Sequence, residues 1–321
     1  MTTDVIPLGT ASALPTEERH LSSVAVERKG RVLLFDCGEG TQYRLLDADL
    51  PRVRVDAIFV THLHGDHCYG LPGLVSTLAL QQRREPLTLV VPSGARAMLE
   101  AIPGSDPDEL PFPVQVTEVG EDLTHAVVYE TDELTVEARP LDHRGFTMGF
   151  RLEERTRPGR FNPERARALG VPEGPAFGRL QSGTPVTTAD GTTVRPEQVL
   201  GPPRPGISIA YATDTRPCEG GRALADDVDP LYHDATFTDE HQARAETTGH
   251  STARQAATVA RDAGAERLLL GHLSARYGNP EPLEREARSV FSSAMVAEEL
   301  RRYALDPRDK EPRQPTATGQ T

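Results

Sequence analysis

Short apolar runs separated by turn-forming residues mark out the first half of the chain. Val5–Leu8, Ser23–Arg28, Arg31–Asp36, Ala57–Thr61, Leu87–Val91, Leu134–Leu141 and Phe146–Leu152 have strand length and are rich in β-branched and aliphatic residues. Lys29-Gly30 joins the second and third of these as a hairpin turn. One helical stretch, 71–83, is entered through Leu71-Pro72-Gly73. Strands resume at 207–213, 228–233 and 267–271, now alternating with helices expected near 241–247, 252–263 and 283–300. Thr252 followed by Gln255 has the spacing of a capping box. The pattern predicts an α/β fold without internal repeats, and it holds no run of apolar residues of membrane-spanning length.

Residues 155–206 break this pattern. Nine prolines and eight glycines crowd the segment, which predicts an irregular chain with one short helix at Pro163–Leu169. The charge changes sign there too. Eight arginines (155, 157, 160, 165, 167, 179, 195, 204) face four acids (164, 173, 190, 197), a net of +4 within a chain of net charge −13. On charge alone, a basic insertion in an acidic protein is expected to be either a surface arm that meets a polyanion or a solvated long loop whose arginines bind nothing. The tail from Asp306 is rich in Pro, Thr and charge and is expected to be disordered, which puts the catalytic domain at 1–305 with 155–206 inserted in it. Three widely spaced cysteines, Cys37, Cys68 and Cys218, form no disulfide framework. The N-terminal residues lack a basic and apolar leader pattern, so a cytoplasmic location is expected.

The chemistry is concentrated where the run Ala57–Val60 ends. His62, His64, Asp66 and His67 spell H-x-H-x-D-H, a density of metal-ligand side chains that a packed core does not need. His62 and His64 are two apart and share one side of an extended strand end, Gly65 lets the chain turn, and Asp66 and His67 face a second ion. His143, Asp214 and His272 each follow an apolar strand. Together they complete two ligand sets, His62, His64, His143 and Asp66, His67, His272, with Asp214 shared. Two ions about 3.5–4 Å apart can hold a bridging hydroxide and clamp a phosphodiester. Asp36 is a candidate for orienting one of the ligand imidazoles.

The H-x-H-x-D-H motif resembles the metallo-β-lactamase superfamily. The segments FDCGEGTQ (35–42), THLHGDHCYGLPGL (61–74), GPAFGRLQSGTPV (174–186), HDATF (233–237), GHSTARQAA (249–257) and HLSARYG (272–278) narrow the resemblance to the ribonuclease Z family in its short form. That resemblance implies a metallo-β-lactamase αββα sandwich with a protruding irregular arm at 155–206 that grips tRNA. It implies two Zn²⁺ per subunit, with Mn²⁺ or Fe²⁺ as alternatives, and a homodimer. The implied activity is endonucleolytic removal of the 3′ trailer from precursor tRNA, leaving a 3′-hydroxyl on the tRNA and a 5′-phosphate on the trailer. A metal-bridging hydroxide attacks, with Asp66 as base and His250 as acid. The alternative is another enzyme of this fold acting on small phosphodiesters or esters.

Two departures from the family pattern stand out. The H-E-A-T motif reads His233-Asp234-Ala235-Thr236, and the shorter Asp234 is expected to need a backbone shift or a water to reach His250. The P-x-K-x-R-N loop reads Pro15-Thr16-Glu17-Glu18-Arg19-His20, so a basic contact to the RNA end turns acidic and the response to an encoded CCA is open. By resemblance, Arg19, Arg276 and the arm residues Arg165, Arg167, Gly174, Pro175 and Arg179 are candidate substrate contacts.

Overall fold

The computed structural model describes residues 2–307. The expected tail therefore lies, beyond Pro307, outside the described residues. Chain contacts divide the protein into a larger unit, Met1–Glu153 with Ile207–Leu305, and a smaller one that contains Glu154–Gly206.

The larger unit is built on two seven-stranded sheets. The first has the order Tyr303–Leu305, Thr3–Gly9, Ser23–Arg28, Arg31–Phe35, Val55–Phe59, Leu87–Pro92 and Val114–Val119. Its last four strands are parallel. The second has the order Ala294–Val296, Arg267–Gly271, Pro230–Asp234, Ser208–Ala212, Met148–Glu154, Leu134–Pro140 and Ala126–Glu130, its first four strands parallel. Phe35, Phe59, Phe150, Leu152, Ile209, Tyr211 and Leu269 fill the space between the sheets. Outer faces are covered separately. Helices Thr41–Asp47, Leu71–Leu80 and Ala95–Glu100 pack their buried residues with the first sheet, and Glu219–Ala225, Ala253–Asp262 and Glu281–Arg288 pack theirs with the second. The layering is αββα, as the motif resemblance implied.

This layering explains which patterns were legible. Strands between helices and partner sheet are buried on both faces and run as continuous apolar stretches. Val114–Val119 and Ala126–Glu130 are edge strands without a fully buried residue; the first alternates apolar with polar positions and the second has only the short apolar run Ala126–Tyr129, and neither was among the expected strands. The helix expected over 283–300 ends at Arg288 instead, and Ala294–Val296 extends the sheet beside Arg267–Gly271. A free sheet edge was worth more to this stretch than its helical periodicity.

The smaller unit is less irregular than its composition predicts. Asn162 caps helix Pro163–Ala168, accepting a hydrogen bond from the Arg165 amide at 3.0 Å, and Pro163 and Pro175 start helices, where a missing N–H costs nothing. Helix Pro175–Gln181 and a hairpin of Val186–Thr187 with Thr193–Val194 complete a small core of Ala166, Val171, Ala176, Leu180, Val186, Val194 and Val199. Its two legs run together: the Gly201 amide donates to the Arg160 carbonyl at 2.9 Å.

Phe59 is fully buried, stacked on Phe35 at 5.0 Å and tilted against Phe150 at 5.5 Å across the inter-sheet space. Phe59→Ala should destabilise the protein by about 3–5 kcal/mol through lost burial and a residual cavity. Urea unfolding should show a lower midpoint at unchanged slope.

Candidate active site

Parallel strands end on the same side, and their carboxyl ends carry the chemistry. Asp36 follows Arg31–Phe35, the H-x-H-x-D-H run follows Val55–Phe59, Asp214 follows Ser208–Ala212, Asp234 ends Pro230–Asp234 and His272 follows Arg267–Gly271. His143 comes from the loop after Leu134–Pro140. The turns are sharp. Asp36, Asp214 and His272 sit at φ of 61°, 50° and 55°, a left-handed conformation that non-glycine residues adopt only where the surroundings enforce it. Gly65 does not serve as a positive-φ turn. It opens the short helix Gly65–Cys68, and a Cβ there would lie 2.4 Å from the Tyr69 ring, so its value is close approach.

The structure brings all seven expected ligand residues together. Ligand atoms of His62, His64 and His143 lie within 4.8 Å of one another, as do those of Asp66, His67 and His272, and those of His62, His67 and Asp214. His67 Nε2 is 2.8 Å from an Asp214 carboxylate oxygen, and His272 Nε2 is 3.1 Å from the same oxygen. His62 Nε2 is 2.8 Å from His64 Nδ1. Imidazoles are oriented from behind. Asp36 accepts from His67 Nδ1 at 2.7 Å, the Gly249 carbonyl from His143 Nδ1 at 2.8 Å, and the Thr236 hydroxyl lies 3.0 Å from His272 Nδ1. This leaves one nitrogen of each ring for the shared space, the arrangement a metal ligand needs.

Two observations test whether a cation fits. His143 Nε2 is buried without a hydrogen-bond partner, a costly state for a polar atom that lacks a ligand. The electrostatics agree. Burial, reinforced by the His67 charge, holds His62 well below the ordinary imidazole range, and burial lowers His143 as well. At Asp214, burial opposes ionisation, but His272 and His67 outweigh it and hold the carboxyl well below its usual range. An ionised Asp214 carboxylate beside His62 and His143, both held toward their neutral form, offers nitrogen and oxygen donors of the kind a divalent ion takes.

Beside this cluster, His250 Nδ1 meets Asp234 at 2.8 Å. The contact is direct, so no bridging water is needed. Asp234 is fully buried and pinned by the Thr215 and Thr236 amides at 3.2 and 2.9 Å and the Thr236 hydroxyl at 2.8 Å, so the shorter side chain is held where it must be. Burial disfavours charge on His250, yet Asp234 raises it above its ordinary value. The surrounding cleft has a volume of about 390 Å³ and is rimmed by Arg144, Arg244 and Arg276. Arg276 stacks over the Phe237 ring at 5.1 Å.

Arg19 departs from expectation. It is 8% exposed and donates to the Tyr277 carbonyl, so it braces the protein and does not present a free cation. Arg165, Arg167, Gly174, Pro175 and Arg179 are exposed on the smaller unit, Arg167 paired with Glu173. Sequence reasoning missed Arg244, which carries no motif, and Ala13, whose contribution is a backbone amide donated to Asp66 at 2.9 Å.

Comparison with known proteins agrees with this geometry. The profile of the metallo-beta-lactamase superfamily matches residues 17–159, and that of the beta-lactamase superfamily domain matches 182–273. A ribonuclease Z of Salinibacter ruber is 74% identical over 313 residues, covering 97% of each chain. The chain belongs to the ribonuclease Z family. Within that family, the enzyme of Haloferax volcanii is 48% identical over 91% of this chain and 92% of its own. The crystal structure of human tRNase Z, short form, superposes with a TM-score of 0.68 at 28% identity, covering 93% of this chain and 98% of that one. The His/Asp clusters of this ribonuclease Z family member form a divalent-metal site.

Asp36 holds this site from behind, so Asp36→Asn, which keeps the volume and removes the charge, should weaken metal retention roughly 10–100-fold. Chelator competition at fixed pH measures this directly. Unchanged retention would mean that His67 is oriented without Asp36.

Proposed function

We propose that this chain is the endoribonuclease that removes the 3′ trailer from precursor tRNA, leaving a 3′-hydroxyl on the tRNA and a 5′-phosphate on the trailer. The observation that carries this reading is a cleft lined by His64, Asp66, His143, Asp214, His250, His272 and three arginines, with His62, His67 and Asp234 buried against those residues, in a chain of the ribonuclease Z family.

Two zinc ions per chain would be held by two donor sets, one of His62, His64 and His143 and the other of Asp66, His67 and His272, with Asp214 available to both. Such ions supply Lewis acidity and acidify water at neutral pH. Asp66 accepts a proton from the attacking water. His250 protonates the departing 3′ oxygen, and Asp234 favours and aims its charged form. Arg276, Arg144 and Arg244 face the phosphates on either side of the scissile bond. The exposed arginines of Glu154–Gly206 bind the body of the tRNA. A homodimer suits the packed pair of helices Thr41–Asp47 and Leu71–Leu80, which leave Tyr43, Leu46 and Leu80 exposed. A cytoplasmic location suits three unpaired cysteines, and no helix among the described residues is long and apolar enough to cross a membrane.

The decisive assay is cleavage of a 3′-extended precursor tRNA with both product ends mapped. Cleavage of bis(p-nitrophenyl) phosphate alone would instead favour a small-substrate enzyme. His250→Ala should lose roughly 10²–10⁴-fold in RNA cleavage, the worth of a general acid. It should barely affect bis(p-nitrophenyl) phosphate, because nitrophenolate leaves without a proton. Equal slowing of both substrates would make His250 a structural residue.

A second prediction concerns the smaller unit. Arg160 and Gly201 are hydrogen-bonded neighbours, so residues 161–200 can be replaced by a short glycine linker. The shortened protein should keep its small-phosphodiester activity, bind precursor tRNA far more weakly and lose part of the salt dependence of binding. Equal retention of both activities would leave the unit no role in tRNA binding.

A further inference from the structure

The segment Thr10–His20 is a loop whose ends touch, the Ala11 amide donating to the His20 carbonyl at 2.8 Å. One side chain from the far end of the chain holds both ends. Glu299 Oε1 accepts from the Thr10 amide at 3.0 Å, the Thr10 hydroxyl at 3.1 Å and the His20 amide at 2.8 Å. Its Oε2 lies 2.9 Å from His20 Nδ1 and 3.1 Å from Arg44 Nη2. The Glu299 side chain is 9% exposed, so these contacts, and the Arg44 charge above all, are what make its burial tolerable.

What this clamp serves lies at the loop's other end. Ala13, at φ 60°, donates its amide to Asp66 Oδ2 at 2.9 Å. Ala13, Leu14 and Pro15 are exposed, so no apolar burial fixes the tip. A left-handed alanine costs roughly 1–2 kcal/mol and persists only when its surroundings impose it. Those surroundings are the loop's base. From there Ala11–Ser12 pairs alongside Leu273–Ser274, directly after His272, and Arg19 reaches the Tyr277 carbonyl. The loop thus spans the site from Asp66 to the segment that follows His272.

We propose that Glu299 is a positioning residue for the reaction: by closing the base of the Thr10–His20 loop it sets the Ala13 amide, and through it the carboxylate of Asp66. In this chain the clamp includes the His20 imidazole, which reaches Glu299 with its ring as well as its backbone. The proposal rests on the role given above to Asp66.

The test compares Glu299→Ala and Glu299→Gln in the full-length protein by hydrogen–deuterium exchange, steady-state kinetics and thermal unfolding. Glu299→Ala should speed amide exchange in peptides covering 10–20 while the strand Val55–Phe59 stays protected. It should lower kcat on both bis(p-nitrophenyl) phosphate and precursor tRNA by about tenfold, the worth of one hydrogen bond to a charged group, with little change in KM. Glu299→Gln keeps an acceptor for the Thr10 and His20 amides and should recover most of both protection and kcat. Faster loop exchange with unchanged kcat would overturn the proposal. So would a kcat loss that merely tracks the unfolded fraction. Should Glu299→Ala not fold, Glu299→Gln and His20→Ala, each removing part of the clamp, carry the same comparison. Wild-type protein that hydrolyses the small substrate but not precursor tRNA would sink the tRNA reading alone, since the small substrate still reports on Asp66.

Discussion

The carboxylate of Asp36 joins the two sheets and the metal site in one place. It is fully buried and accepts from the Thr61 amide at 2.8 Å, the Thr61 hydroxyl at 3.0 Å, His67 Nδ1 at 2.7 Å and the Tyr211 hydroxyl at 2.9 Å. Thr61 follows the first sheet's strand Val55–Phe59, His67 lies on the short helix Gly65–Cys68 beyond it, and Tyr211 lies on a central strand of the second sheet. A buried charge is tolerable only when its lone pairs are satisfied, and removing one partner from such an arrangement costs about 3–5 kcal/mol. Asp36 thus demands a fixed distance between the sheets at the point where the ligands emerge. Phe35, Phe59, Phe150 and Tyr211 pack beside it and supply the apolar burial that keeps the distance.

From that fixed point the site is assembled by backbone that departs from ordinary geometry. Asp36, Asp214 and His272 all take positive φ at the ends of otherwise regular strands. These turns bring Asp214 and His272 into the common space and set Asp36 behind it, against His67. The cost is borne by the sheets, whose parallel ladders leave the strand ends no freedom to relax. Strain concentrated at a site and offset by a rigid scaffold is what preorganises ligands before an ion arrives.

Two charge patterns complement one another. The cleft is lined by the acids Asp66 and Asp214 and by the arginines Arg144, Arg244 and Arg276. Carboxylates suit divalent ions and guanidinium groups suit phosphodiester oxygens. Residues 155–206 carry a net positive charge although the chain as a whole carries −13.

The H-x-H-x-D-H cluster was legible in the chain because it rests on local spacing, whereas the αββα layering and the pairing of His250 with Asp234 were legible only through the resemblance to a family. Ligands packed into H-x-H-x-D-H act through spacing alone, and strands buried on both faces run as unbroken apolar stretches. Other features were decided by tertiary structure. Edge strands Val114–Val119 and Ala126–Glu130 have no fully buried residue and only short or alternating apolar patterns, while the stretch 294–296 became a strand because a sheet edge lay open to it. Asp234 reaches His250 directly because the fold pins its carboxylate, which its length alone could not reveal. Arg19 turned inward to Tyr277, and the Ala13 amide found Asp66, through contacts between residues distant in the chain. Glu299 meets Thr10 across 289 positions. Spacing along a chain encodes what neighbours do to one another; a buried carboxylate's partners are set by which segments the completed core brings to it.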